Sequence, residues 1–250
     1  MTVDEDDHRL AARLAEEAGR LLMDLRAQIA DPAELKAAGD ARANELILAG
    51  LAVARPDDAI LSEESPDDPA RHGADRVWIV DPLDGTREFG EAGRTDWAVH
   101  VALAERGRPT VGAVALPARD LVLSANPAPV VPPRPDGPIR LLVSRSRPPA
   151  LADHLAAALE AELVPMGSAG AKAMAVVLGE GDVYAHSGGQ YQWDSAAPVA
   201  VALAAGLHAT RLDGSPLVYG EPDPWLPDLL ICRAELAPSV QTALRRAPST

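Results

Sequence analysis

The run Val77-Trp78-Ile79-Val80-Asp81-Pro82-Leu83-Asp84-Gly85-Thr86 decides how the chain is read. Its first four residues are apolar, most of them β-branched, which predicts a buried strand. Two carboxylates follow at once, Asp81 and Asp84, at the C-terminal end where open α/β sheets commonly place ligands. Pro82 stiffens the turn and Gly85 opens it, so both carboxylates can converge on a point that the Leu83 carbonyl also faces. Oxygen donors of this kind suit a hard cation such as magnesium. If a helix starts near Thr86, its free amides make an anion site beside the cation, and a phosphate can be gripped between them. An Asp-Gly pair standing alone reads more simply as a loop turn, with Asp81 as a cap. Here the strand before it, the Pro-Leu insert and Thr86 after it favour the ligand reading. An EF-hand does not fit, because it needs acidic ligands at alternate positions and Leu83 occupies one of them. The Asp-x-Asp spacing of a phosphoaspartyl phosphatase is also absent.

Working outward, Leu10, Leu14, Leu21, Leu22, Leu25 and Ile29 fall at helical spacing and predict an amphipathic helix over residues 8–29. A second helix is expected from about Ala41 to Ala54, ended by Pro56. Ile60-Leu61 reads as a short strand leading into Glu63-Glu64. Three strand-like runs, Trp97–Leu103, Val111–Leu116 and Leu121–Leu123, are separated by turn signals and predict an antiparallel meander. The stretch Asn126–Pro138 is so rich in proline that it can continue neither sheet nor helix, and it marks the expected boundary between two lobes. Beyond it, strands near Ile139–Ser144, Leu163–Met166, Asp182–His186 and Leu229–Arg233 alternate with helices near Ala150–Glu160, Ala169–Leu178, Asp194–Ala205 and Pro238–Arg245. The pattern is mixed α/β.

Composition narrows the chemistry. The 250 residues carry 37 acidic against 23 basic side chains, a formal net charge of −14. That argues against long polyanions, since nucleic-acid affinity rests on Lys and Arg neutralising phosphates. It leaves room for a small phosphorylated metabolite, because bound divalent cations reverse the local sign. At 47% hydrophobic the chain can bury a substantial core, and with 3% aromatics that core must rest on Leu, Val and Ala. The single cysteine, Cys232, sits in the apolar run Leu229–Cys232 and reads as an inert core thiol. The acidic N-terminal stretch has no basic-then-apolar leader pattern, and no apolar run approaches the ~18 residues of a membrane span. The expectation is a cytoplasmic protein with no nucleic-acid polymer and no membrane as partner; a homodimer stays open.

Two further acidic spots fit the first. Glu63-Glu64 precedes Asp81, and Trp193-Asp194-Ser195 opens the apolar segment 196–206. Alone, the glutamates would read as a solvated loop and Asp194 as a helix cap, although one carboxylate can both cap and bind a cation. Asp40, alone, would also read as a cap. His100, His154, His186 and His208 lack ligand spacing and read as structural.

Taken together, Asp81-Pro82-Leu83-Asp84-Gly85-Thr86 with Glu63-Glu64 upstream and Trp193-Asp194 downstream resembles the signature of the inositol monophosphatase superfamily. Ser62-Glu63-Glu64, Asp84–Phe89, Val143-Ser144-Arg145-Ser146 and Gly167-Ser168 are most similar to its CysQ branch. That branch is similar to phosphatases that hydrolyse 3′-phosphoadenosine 5′-phosphate (PAP) in sulfur assimilation. The resemblance implies a two-lobed, layered αβαβα sandwich, α+β to α/β in class. Residues 1–135 would form an N-terminal α+β lobe carrying most metal ligands, and residues 136–250 a C-terminal α/β lobe completing the site, in one structural unit.

The resemblance further implies two or three magnesium ions held by Glu63, Asp81, the Leu83 carbonyl, Asp84 and Asp194. Thr86 and Asp40 would orient the attacking water and take its proton. Gly85 and Thr86 would hold the phosphate, with Ser144, Arg145, Ser168, Lys172 and Asp194 toward the substrate. The implied reaction turns PAP into AMP and phosphate, with the sulfated analogue PAPS as a second substrate and sensitivity to lithium. The alternatives are a broad-specificity inositol monophosphatase or fructose-1,6-bisphosphatase, and a non-catalytic cation- or phosphate-binding module. Two stretches depart from the family pattern. Leu35-Lys36-Ala37-Ala38-Gly39 stands where members often carry a Thr before the water-activating Asp. Gly167–Met174 is longer than the family's Gly-Ser-Ser-Leu-Lys-Phe and has lost its aromatic, while Lys172 still matches.

Overall fold

The computed structural model describes residues 6–146 and 148–247; the first residues of the acidic N-terminal stretch lie outside them. Helix α1, Asp7–Gln28, starts where the Asp6 carboxylate accepts the Arg9 N–H at 2.8 Å, and it buries Leu10, Leu14, Leu22 and Leu25. Helix α2, Pro32–Ala54, begins well before the expected Ala41. Asp31 caps it by accepting the amides of Ala33 and Glu34, and Pro32 is harmless in a first turn, where its missing N–H has no intrahelical partner to lose. The helix runs through Gly39, where a Cβ would stand 2.8 Å from Phe89 Cε1 and 3.0 Å from Leu83 Cδ2, so close packing favours glycine there. Asp40 is therefore an interior residue of α2 and not a cap.

The first sheet has the order β1-β2-β3-β4-β5. β1 (Ala59–Ser62) lies parallel to β2 (Arg76–Asp84). β3 (Ala98–Glu105), β4 (Arg108–Leu116) and β5 (Leu121–Ser124) then continue as the expected antiparallel meander. Between β2 and β3, Thr86–Phe89 forms a single helical turn, α3. The proline-rich stretch carries no helix or strand, and the second sheet starts after it, in the order β7-β6-β8-β10-β9. β6 (Ile139–Ser144) pairs in parallel with β7 (Ala161–Met166) and β8 (Val183–Tyr191). β10 (Trp225–Cys232) runs antiparallel to β8 and to β9 (His208–Thr210). The strand expected from Leu229 thus begins at Trp225, with a bulge between Leu226 and Asp228 that accommodates Pro227. β8 likewise continues past His186 through Gly188-Gly189, and β9 had no apolar run to announce it.

Helices fill three layers around the two sheets. α1 and α2 cover the outer face of the first sheet over a core that includes Trp78, Trp97 and Phe89. α5 (Ala169–Val177) and α6 (Gln192–Ala204) lie between the sheets. α4 (Ala150–Leu159) and α7 (Ala237–Arg245) close the far face of the second sheet. The order is the expected αβαβα. Cys232 is fully buried in that outermost core, and burial pushes its thiol up to about 12, which leaves it no nucleophilic role near neutral pH. Among the described residues no helix is long and apolar enough to cross a membrane.

Candidate active site

Residues three apart on a regular strand point to opposite faces. Asp81 and Asp84 escape that rule because β2 carries one extra residue against β3: Asp81 pairs with His100, but Asp84 pairs with Ala98. The bulge brings both carboxylates to one side. Asp194, from the first turn of α6, approaches the same point, and one oxygen from each of the three carboxylates falls within a group no wider than 4.8 Å. Asp194 also accepts the Tyr191 N–H at 2.6 Å, so it does serve its helix start, from inside the first turn.

No Lys or Arg forms an ion pair with these three side chains among the described residues. Their nearest basic group is His100, whose Nε2 lies 3.3 Å from Asp84 Oδ2 and whose Nδ1 lies 3.9 Å from Asp81. Nδ1 donates to the Trp193 carbonyl at 3.0 Å, while Nε2 meets Asp84 off the line that a hydrogen bond needs. Burial alone would lower the His100 pKa, but Asp84 and the Trp193 carbonyl outweigh it and the net direction is upward. Nothing in the spacing around His100 signals this role. Only the strand register, which sets His100 opposite Asp81, reveals it.

Crowding of negative charge shows in the titration of the group. Asp81 is raised well above the usual carboxylate range by burial first, then by the charges of Asp84 and Glu63. Asp194 is raised to about 6 by burial and by Asp84. Glu63, which follows β1 and donates its N–H to the Val80 carbonyl at 3.2 Å, is raised to about 7 by burial and then by Asp194. Asp84 goes the other way, to about 2. Burial raises it, but His100, the Ser168 hydroxyl and the Gly170 N–H together win. Its Oδ2 accepts from Ser168 Oγ at 2.5 Å and from Gly170 N at 2.6 Å, and its Oδ1 from Ala169 N at 3.1 Å. Two buried carboxylates and a half-buried third repel one another, have no Lys or Arg partner among the described residues beside the one imidazole of His100, and form an all-oxygen donor set that a divalent cation would relieve. The residues fit a hard metal ion.

Thr86 and Asp40 meet although they come from different elements. The Thr86 hydroxyl lies 3.4 Å from Asp40 Oδ1 and 3.1 Å from the Leu83 carbonyl, both of them acceptors. Asp40 is raised to about 6 by burial and then by Glu64. Gly85 takes φ +87°, and a Cβ there would come 3.0 Å from Ser168 Cβ, so the residue must be glycine both for its conformation and for its room. The loop that bears Glu63-Glu64 is pinned to α2: Ser62 Oγ donates to Asn44 Oδ1 at 2.7 Å and Asn44 Nδ2 to Ser65 Oγ at 3.1 Å.

The expected substrate residues divide into two groups. Ser144, Lys172, Asp84, Gly85 and Asp194 line a cleft of about 370 Å³. Lys172 is buried, donates to the Gly167 carbonyl at 3.0 Å and to that of Ser168, and has its pKa lowered by burial against the pull of Asp84. Ser168 also lines the cleft, yet its hydroxyl is fully used, donating to Asp84 and accepting the Ala171 N–H at 2.9 Å as the cap of α5. Arg145 is held by Glu88 at 2.7 Å and Glu91 at 3.0 Å and is not part of the cleft lining. A larger groove, about 1120 Å³ between α1 and β5, contains none of the acidic cluster.

The sequence pattern of the inositol monophosphatase family matches residues 7–129 and 137–245. A Mycobacterium tuberculosis protein named 3′-phosphoadenosine 5′-phosphate phosphatase is 53% identical over 244 residues, covering 92% of this chain and 90% of the relative. The Escherichia coli K12 protein named 3′(2′),5′-bisphosphate nucleotidase CysQ is 34% identical over 194 residues, covering 73% of this chain and 78% of that one. Among solved structures, CysQ from Bacteroides thetaiotaomicron superposes with a TM-score of 0.77 at 26% identity, over 90% of this chain and 96% of that one. The chain belongs to the inositol monophosphatase family.

Proposed function

We propose that this protein is a magnesium-dependent phosphomonoesterase that converts PAP to AMP and inorganic phosphate. The observation that carries the reading is the group of carboxylates, Asp81 and Asp84 buried and Asp194 half-buried, with only the His100 imidazole against three acids beside a nucleotide-sized cleft. The relative named for PAP hydrolysis supports the substrate class. Two or three magnesium ions would be held by Glu63, Asp81, the Leu83 carbonyl, Asp84 and Asp194. When bound they neutralise charge on the phosphoryl group and lower the pKa of water beside it.

The chain's own groups do the rest. Donating toward Asp40, the Thr86 hydroxyl offers its lone pairs to the attacking water and orients it. Asp40, raised to about 6, takes the water's proton. The water oxygen forms its bond to phosphorus as the bond to the nucleotide 3′ oxygen breaks; that oxygen takes a proton from a solvent water to leave as the 3′ hydroxyl of AMP, and Asp40 returns its proton to solvent. The Gly85 and Thr86 amides face the phosphate, with Ser144, Lys172 and Asp194 around the sugar. Ser168 acts by fixing Asp84, and Arg145 by ordering Glu88 and Glu91. Because the carboxylates come from both halves of the chain, we take residues 1–135 and 136–250 to work as one unit.

The test is kcat/KM for PAP, inositol 1-phosphate and fructose 1,6-bisphosphate at fixed magnesium, repeated with a chelator. PAP should be the best substrate, and the chelator should stop turnover. Equal rates on all three would replace the reading with a broad-specificity phosphatase, and phosphate release from none would leave only a binding module.

A further inference from the structure

The chain has four tryptophans, three tyrosines and one phenylalanine, and three of these eight aromatics gather at one end of the cleft. Tyr191 stacks on Trp193 at 4.7 Å between centroids, 12° from coplanar, and meets Trp225 edge-on at 5.5 Å. Tyr191 and Trp225 line the cleft that also holds Asp84 and Asp194, yet they remain 43% and 46% exposed. A soluble protein so poor in aromatics has little reason to leave two large rings in water at the rim of a polar cleft unless something covers them. The Trp225 ring is seated on Gly189: a Cβ at that position would lie 1.8 Å from its Cη2 and Cζ2.

A second observation falls next to the first. Gln190 is only 6% exposed and lines the same cleft, and neither its Oε1 nor its Nε2 has a hydrogen-bond partner. A buried amide left unpaired on both sides is costly and calls for a ligand that donates and accepts at adjacent positions. An adenine edge does this, with its 6-amino group beside a ring nitrogen, the pairing that Gln and Asn side chains favour elsewhere.

We infer that Trp225, backed by Tyr191, is the surface on which the nucleobase of the substrate stacks, and that Gln190 meets the edge of that base. The inference rests on the PAP reading and deepens it. The phosphate goes to the carboxylate end of the cleft and the base to the aromatic end, so specificity for a nucleotide over other phosphate esters resides on β8 and β10, away from the residues that do the chemistry. It also accounts for the missing aromatic of the Gly167–Met174 stretch, since the ring surface is supplied by other strands.

The experiment compares kcat/KM for PAP with that for ribose 3,5-bisphosphate, which keeps the sugar and both phosphates and lacks the base. In wild type PAP should be favoured by roughly 10- to 100-fold, the size of one stacked base. Trp225→Ala should remove most of that preference through KM, Trp225→Phe should keep most of it, and Gln190→Leu should remove a several-fold part. If Trp225→Ala lowers both substrates equally, or the preference survives it, the stacking surface is refuted while the PAP reading stands. If wild type handles both esters equally well, the base is not recognised and the stacking surface is refuted; the PAP reading itself fails only if PAP is not preferred to inositol 1-phosphate and fructose 1,6-bisphosphate. A loss in Trp225→Phe as large as in Trp225→Ala would also overturn the assignment, because a second ring should still stack.

Discussion

Asp182 and Asp81 are both shielded from solvent, yet their surroundings differ in sign. Asp182, between β6, β8 and β10, accepts the Arg140 backbone N–H at 2.9 Å, Arg140 Nη2 at 2.9 Å and Arg233 Nε at 3.0 Å, with Arg134 at 3.6 Å. Burial raises its pKa, but these arginines outweigh that and the net direction is down. Asp81, with Asp84 and Asp194, has no arginine, and its pKa rises. A carboxylate buried for the sake of the fold brings its own cations. A cluster of three carboxylates with no arginine and one shared imidazole has room for a cation from outside, and the contrast locates the site without reference to any motif.

The strongest way to break this contrast is to mutate both centres. Asp81→Asn should lower kcat/KM by at least about a hundredfold while leaving thermal stability of the metal-free protein unchanged or higher, because a repelling charge is removed. Asp182→Ala should do the reverse: roughly 3 kcal/mol of stability lost, with activity per folded molecule close to wild type. Denaturation and kinetics on the same samples decide it, and a large stability loss in Asp81→Asn would undo the distinction. Asp81 is a cleaner choice than Asp84, whose oxygens are also tied to Ser168, Ala169 and Gly170.

A step down in size, Thr86→Ala and Asp40→Asn should each lower kcat by about 10²-fold or more, and the double variant by little beyond the larger single loss, as for groups that act on one water. Losses that multiply would separate Asp40 from Thr86.

The two centres should also answer pH in opposite directions. Asp182, held below its unfolded pKa, contributes stability that is present above the normal carboxylate range and lost as pH falls through it. Asp194 and Glu63, raised to about 6 and about 7, make the folded state take up protons, so metal-free stability falls as pH rises from about 4 to 7. Magnesium should cancel that fall. The shift in Tm on adding it should therefore be larger at pH 7.5 than at pH 5, with protons released on binding. A shift independent of pH would mean that the cation binds elsewhere.

Smallest is the response to monovalent ions. Lithium, close to magnesium in size with half its charge, should inhibit at the carboxylate group, uncompetitively toward substrate, while potassium at equal ionic strength should not. Equal effects of the two salts would reduce the behaviour to screening.

The strand before Asp81, the helical stripe of α1 and the β3–β5 meander were legible because burial imposes a period on the sequence. Where polar or glycine residues interrupt that period, tertiary packing decided the outcome. α2 runs through Gly39, where Phe89 crowds out a Cβ, and β8 passes Gly188-Gly189 with β10 paired to it on either side, at Ser187 and Gln190. Asp81 and Asp84 could be read as a convergent pair from short-range spacing, while Asp194, far along the chain, joined them only through the family resemblance. His100 could not, since its position depends on cross-strand register, and neither could the Asp182 centre, whose arginines are scattered along the chain.

The extra residue in β2 constrains chain length as well as side-chain direction. With Asp81 opposite His100, a regular ladder would pair Asp84 with Trp97, and one of the two carboxylates would turn into the core under α1 and α2. The three-residue spacing therefore needs the bulge: without the extra residue, only a spacing of two would keep both carboxylates on one face. Spacing and bulge are matched, so a change that flattened the bulge while keeping Asp-x-x-Asp would part Asp84 from Asp81 and Asp194.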